Sequence, residues 1–166
     1  MKINTRIIQQ NKEYSLEDVV DFSTIDFSNS MIVRKLNEAK VKMKYRLYED
    51  YLYVDLSISG EAILICSYTL EDVNYPYNYK DSLTFCFEEE LEDEDIIYAD
   101  KPIIDMDEYI LGIILASLPS KIVKKGAKLP SDGAGYRVMS EDDYLKEKAN
   151  KKDSRFDILD NIEFDD

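Results

Sequence analysis

At 166 residues, 45% hydrophobic and 34% charged, the chain is long enough to bury about 70% of the surface its unfolded form exposes, which excludes wholesale disorder. Its 35 acidic and 21 basic residues give a formal charge of −14; that field repels phosphate backbones and anionic membranes, so any nucleic-acid contact must be local. Histidine is absent, which excludes Ser-His-Asp and Cys-His catalysis, zinc sites that depend on imidazole, and histidine pH switches.

The opening residues Ile3 to Ile8 read as a strand. They lack the unbroken apolar stretch of a secretory signal, and no apolar run of the chain approaches the ~20 residues of a membrane span. A cytoplasmic protein is expected. Ser15-Leu16-Glu17-Asp18 resembles a capping box and predicts a short helix through Val19 and Val20. A polar loop follows over Asp21 to Ser30. From Val41 the period becomes two: Val41, Met43, Tyr45 and Leu47 alternate with Lys42, Lys44 and Arg46, a strand with one wet, basic face. Glu49-Asp50 is the expected turn into an antiparallel partner carrying Leu52, Val54, Leu56 and Ile58. Gly60-Glu61 is then read as a second turn into a third strand, Ala62 to Ser67.

Further on, Tyr75, Tyr77 and Tyr79 alternate, and so do Leu83, Phe85 and Phe87, with Lys80-Asp81-Ser82 read as a turn between them. Pro76 marks the first of these runs as an edge strand or an extended loop. The acidic run Glu88 to Asp95 repels itself and is expected to be a solvated loop. Asp105 with Glu108 forms an Asp version of the capping box, and Met106, Ile110, Ile113, Ile114 and Leu118 recur at helical spacing up to Pro119, predicting the main helix. Gly126, Pro130, Gly133 and Gly135 make residues 121–135 an extended segment. Ser140-Glu141-Asp142-Asp143 starts a short helix through Ala149. The expected architecture is α+β: a mainly antiparallel sheet of about five to seven strands packed on one main helix over residues 1–120, and a semi-ordered C-terminal arm over 121–166.

Groups that could carry chemistry are few. Cys66 and Cys86 each lie in a strand-like apolar run and read as small core residues in a reducing compartment, not a bridge. The dense acidic clusters sit in polar sequence, without the apolar pocket that shifts a carboxylate pKa for acid-base work. Gly126, Gly133 and Gly135 match neither a P-loop nor a dinucleotide fingerprint. Lys121, Lys124, Lys125 and Lys128 form a basic cluster after the main helix; it complements the helix C-terminal dipole and is also able to meet a phosphate. The row Lys42, Lys44 and Arg46 could touch RNA, although lysines more commonly protect a sheet from unwanted pairing. The tyrosines could stack on bases, but tyrosine is also a good strand former.

The segment Ser59-Gly60-Glu61-Ala62-Ile63-Leu64-Ile65-Cys66-Ser67-Tyr68-Thr69-Leu70-Glu71-Asp72-Val73 resembles the YceD family, the large ribosomal RNA subunit accumulation proteins. The family pattern has a Gly, an apolar strand, Cys-Ser-Arg-Cys-Leu-Glu and a Val. Gly60, Cys66, Ser67, Leu70, Glu71 and Val73 agree with it, while Tyr68 and Thr69 stand for its Arg and second Cys. The helix led by Asp105 and closed by Leu118-Pro119 resembles the family's amphipathic helix. Lys125-Gly126-Ala127-Lys128-Leu129-Pro130-Ser131-Asp132-Gly133 occupies the place of a Cys-Lys-Gly-Leu-Cys-Pro-x-Cys-Gly element, keeping Pro130 and Gly133 and none of its thiols. Asp153-Ser154-Arg155-Phe156-Asp157-Ile158-Leu159 is similar to the family's closing Asp-Pro-Arg-Phe-x-x-Leu.

The resemblance implies a non-enzymatic binding protein of ribosome biogenesis. Its role would be to support accumulation or processing of large-subunit ribosomal RNA by contact with that RNA, with basic ribosomal proteins, or both. It implies no cofactor, no small-molecule substrate and no membrane. Candidate contacts are Lys121, Lys124, Lys125, Lys128, Arg155 and Phe156. Family thiols at such spacings suit zinc, and with Cys66 alone kept this chain is expected to bind none. The competing expectations are a metal-dependent carboxylate hydrolase or nuclease, and an acidic adaptor unrelated to ribosomes.

Overall fold

The computed structural model describes residues 1–150. The chain divides into two units, Met1–Lys124 and the segment from Lys125 onward. The first holds strands β1 (Lys2–Asn4), β2 (Glu13–Asp21), β3 (Val33–Tyr48), β4 (Tyr51–Ile65), β5 (Asp72–Cys86), β6 (Ile96–Tyr98) and β7 (Ile103–Asp105), then helix α1 (Met106–Ser117). In the second, α2 spans Glu141–Asn150. The class is α+β, as expected. No helix among the described residues is long and apolar enough to cross a membrane.

Strands β2 to β5 form an antiparallel meander in the order β2-β3-β4-β5, and β6 adds to β5 in parallel over Thr84–Cys86 alone. A separate pair, β1 with β7, leads into α1. Along β5, no described strand lies beside Asp72–Leu83 on the side away from β4, so Pro76 does sit on an edge.

Alternation assigns the two faces. Val41, Met43, Leu52, Val54, Leu56, Ile58, Tyr77 and Phe85 point inward and are buried with Ile3, Met106, Ile110 and Ile114 in one core. Phe85 meets Tyr109 of α1 edge to face, with centroids 5.1 Å apart. The Asp105 side chain accepts the Asp107 N–H at 3.2 Å and caps α1, and the helix stops at Leu118 before Pro119, as its sequence predicts.

Several expectations are corrected. Residues 15–20 are not helical; they lie in β2, paired with β3 from Glu13↔Arg46 to Asp21↔Glu38. The local capping pattern loses to cross-strand partners, among them Tyr14 stacked on Tyr45 at 5.4 Å and Glu17 ion-paired with Lys42 at 3.0 Å, because strand formation follows tertiary pairing more than local preference. Gly60-Glu61 is no turn, since β4 runs through it, and the real hairpin loop is Cys66–Glu71. Lys80-Asp81-Ser82 likewise lies inside β5, opposite Ser57, Leu56 and Asp55. The opening strand ends at Asn4 in a single 3-10 turn over Thr5–Ile7. Gly60 is required by space. A Cβ there would lie 2.6 Å from the Tyr77 hydroxyl and 3.0 Å from the Glu38 carbonyl oxygen, so Tyr77 crosses the strand where no side chain stands.

Candidate functional site

Two regions of the first unit gather charged and polar groups. One is the loop between β4 and β5. Leu70, in the left-handed region at φ 59, lets the chain reverse. The Leu70 N–H donates to the Cys66 carbonyl at 2.9 Å, and the Cys66 N–H donates to the Glu71 carbonyl at 2.8 Å. The segment after α1 closes over this loop: the Ser67 N–H donates to the Ile122 carbonyl at 2.8 Å, and the Lys124 N–H donates to Cys66 Sγ at 3.3 Å. Lys124 Nζ reaches Glu71 at 3.2 Å, and Thr69 Oγ1 donates to the same carboxylate at 3.1 Å.

These donors set the local titration. The Lys124 N–H, with the Thr69 hydroxyl behind it, outweighs burial and brings the Cys66 thiol down to about 7. Hydrogen bonds from Lys124 and Thr69 hold the Glu71 carboxyl below the usual range. Zinc held by family thiols does not fit this chain. Cys66 is the one thiol at those positions, where Thr69, Lys125, Leu129 and Asp132 stand for the others, and its sulfur is engaged by a backbone donor. Among the described residues, no three carboxylates or thiols converge as a metal set would.

Of the candidate contacts, Lys121 lies over the Tyr68 ring at 6.0 Å and Lys124 is paired with Glu71. Lys125 and Lys128 belong to the second unit and are exposed; Arg155 and Phe156 lie outside the described residues. Pro119 follows the last turn of α1. Pro130 is exposed, and Gly133 exchanges backbone hydrogen bonds with Tyr136 at 3.2 and 3.3 Å, its missing side chain leaving room for the Tyr136 ring.

The second region is the solvent face of the large sheet. Lys40, Lys42, Lys44 and Arg46 project from β3, opposite Val19, Glu17, Ser15 and Glu13 of β2 and Ser59, Ser57, Asp55 and Tyr53 of β4. Lys80 of β5 lies opposite Ser57. Lys42 pairs with Glu17 at 3.0 Å and Lys44 with Glu13 at 3.6 Å. Two shallow depressions follow the row, one between Tyr53 and Glu13, the other between Val19 and Lys42. At the far end of the face the sign reverses, where Asp21, Glu38 and Glu61 line an open depression with Ser23 and Asn37. The Asp21 carboxyl is held down by hydrogen bonds from Ser23. Lys42, Lys44 and Arg46 stand out in the sequence as a basic row, whereas Lys40 and Lys80 join them through the strand pairing. Lys40 shares the alternation of the row and was legible; Lys80 was hidden by reading its stretch as a turn.

Comparison with known proteins gives two matches. The Uncharacterized protein YlbN of Bacillus subtilis (strain 168) is 29% identical over 158 residues, covering 91% of this chain and 88% of the relative. No solved structure matches the chain. The family model described as large ribosomal RNA subunit accumulation protein YceD matches residues 54–163, a stretch that takes in nearly all of β4, the Cys66 loop, β5 and α1. With more than half its length inside that match, the chain belongs to the YceD family.

Proposed function

We propose that this chain is a non-enzymatic binding protein of ribosome biogenesis in the cytoplasm. It supports accumulation of large-subunit ribosomal RNA through contact with that RNA, with basic ribosomal proteins, or with both. The observation that carries this reading is the family match over residues 54–163, which takes in most of β4 and the whole of β5 and α1.

The distribution of charge supports it. The carboxylates of the described unit are spread over the exposed loop Glu88–Asp95, cross-strand ion pairs and strand ends. Such a surface suits complementarity with a cationic partner, whereas the sheet face offers cations to an anionic one. Ribosome profiles from cells lacking the protein test the reading. A reduced large-subunit peak with under-accumulated large-subunit RNA is expected, and a profile identical to wild type would overturn it.

A further inference from the structure

We propose that the cationic half of the open sheet face, Lys40, Lys42, Lys44, Arg46 and Lys80, is a binding surface for the phosphodiester backbone of RNA. The inference rests on the ribosomal reading above and names a surface for it.

The first observation is topological. Lysines on a strand ordinarily keep a sheet edge from pairing with another chain. Here β3 is internal, hydrogen-bonded to β2 on one side and β4 on the other, so its row guards no edge. A solvated sheet face needs polar side chains, but it does not need four successive cations.

The second is charge. In a chain with 35 acidic and 21 basic residues, five of the cations share one half of one face with Glu13, Glu17 and Asp55 as the acids among them and Glu38 bordering Lys40 along β3. Their neighbours Ser57 and Ser59 are short, so a backbone is able to approach closely and receive hydroxyl hydrogen bonds.

Geometry is the third. Alternate residues of a strand stand about 6.8 Å apart on one face, a spacing comparable to that of successive phosphates, so the row from Lys40 to Arg46 runs about 20 Å. Lys42 and Lys44 are paired, but both partners in each pair are about two-thirds exposed; pairs so exposed are weak and exchange readily for phosphate. Among the described residues, Lys40, Arg46 and Lys80 have no carboxylate within ion-pair distance. Tyr53, 40% exposed and opposite Arg46, offers a ring on which a base can stack. Repulsion from the rest of the chain is screened beyond about 8 Å at physiological salt.

The test is a salt titration of binding by the full chain to in-vitro transcribed large-subunit ribosomal RNA and, separately, to polyglutamate. It compares wild type, the triple variant Lys40→Ala/Arg46→Ala/Lys80→Ala, and the control Lys101→Ala/Lys146→Ala, two exposed lysines that belong neither to this face nor to the basic cluster after α1. All three face residues are exposed, and matched circular dichroism certifies the fold. The triple variant is expected to lose about tenfold in RNA affinity and to flatten the slope of log K against log salt by about 2–3, with the control unchanged. Equal affinity and slope for wild type and triple variant would overturn the proposal. So would loss confined to polyglutamate, which would identify an acidic protein as the occupant. Absence of RNA binding by wild type would also overturn it, while the ribosomal reading would still be decided by the profile of cells lacking the protein.

Discussion

Replacing Gly60 with alanine is the sharpest test of the packing behind the long sheet. The new Cβ would stand 2.6 Å from the Tyr77 hydroxyl, 2.8 Å from its ring carbon Cζ and 3.0 Å from the Glu38 carbonyl oxygen. Tyr77 has little freedom to move away, being 5% exposed and stacked on Tyr79 at 5.4 Å. Overpacking of this kind costs about 1–3 kcal/mol, and removing glycine's freedom from the unfolded chain returns about 0.4–1 kcal/mol. The expected net loss is about 1–2 kcal/mol, or about 2–8 °C in Tm for a chain of this length. Urea denaturation followed by circular dichroism should show a lower midpoint at unchanged slope. Tyr77→Phe removes the nearest clashing atom together with a hydroxyl that is buried without a partner, so it should be nearly neutral alone and recover part of the loss in the double variant. A raised midpoint for Gly60→Ala, or a loss that Tyr77→Phe leaves untouched, would refute the reasoning.

Gly112→Ala is the complementary case, since a Cβ in α1 at that position meets nothing within 4 Å; it should stabilise by about 1 kcal/mol in the same urea assay. Asp105→Ala removes the cap on the Asp107 N–H and should cost about 1 kcal/mol, with restoration by Asn. The folded Cys66 thiol, lowered to about 7, favours the thiolate; its contribution is present in full above the ordinary thiol range and is lost as pH falls through about 7. The thiolate absorbance difference between wild type and Cys66→Ser should therefore have its midpoint near pH 7, and a midpoint near 9 would contradict the Lys124 hydrogen bond. Burial, with Tyr75 beside it, pushes the Tyr79 hydroxyl up to about 12, so its protonated form is favoured by folding. That contribution is present below about pH 10 and lost as pH rises through about 12; alkaline unfolding in that window should be weaker in Tyr79→Phe.

Much of the fold was written in the parity of apolar positions. Leu52, Val54, Leu56, Ile58, Ala62 and Leu64 are all even, and they share the inner face of β4 because the strand passes through Gly60 without changing phase. Tyr75, Tyr77, Tyr79, Leu83 and Phe85 are all odd, so the polar triplet 80–82 interrupts hydrophobicity but not register. Glycine and polar clusters look like turns locally, whereas preserved parity points to a single strand. Where parity does break, between Leu36 and Ala39, the β3 pairing shifts register in a bulge. Helix α1 was legible because cap, period and stop agree. Strand β2 was not, since its stabilising partners lie about 25 residues along the chain, beyond any local pattern. Of the candidate sites, the row on β3 was visible from alternation, but its central place in the sheet, which removes the edge-guarding explanation, required the strand order. The contact of Lys124 with Cys66 joins residues 58 apart, and no spacing rule predicts it.

The open side of β5 bears on how these molecules behave when crowded. Backbone groups along Asp72–Leu83 are a template on which an extended segment of a second molecule could add, the first step of edge-to-edge aggregation. Pro76 breaks the template because it has no N–H to offer, and the adjacent Lys80 and Asp81, both exposed, would bring charge into any such addition. The proline that marks this strand as an edge is thus also its safeguard, and colloidal stability at high concentration depends on a residue that touches no charge of the cationic row on β3.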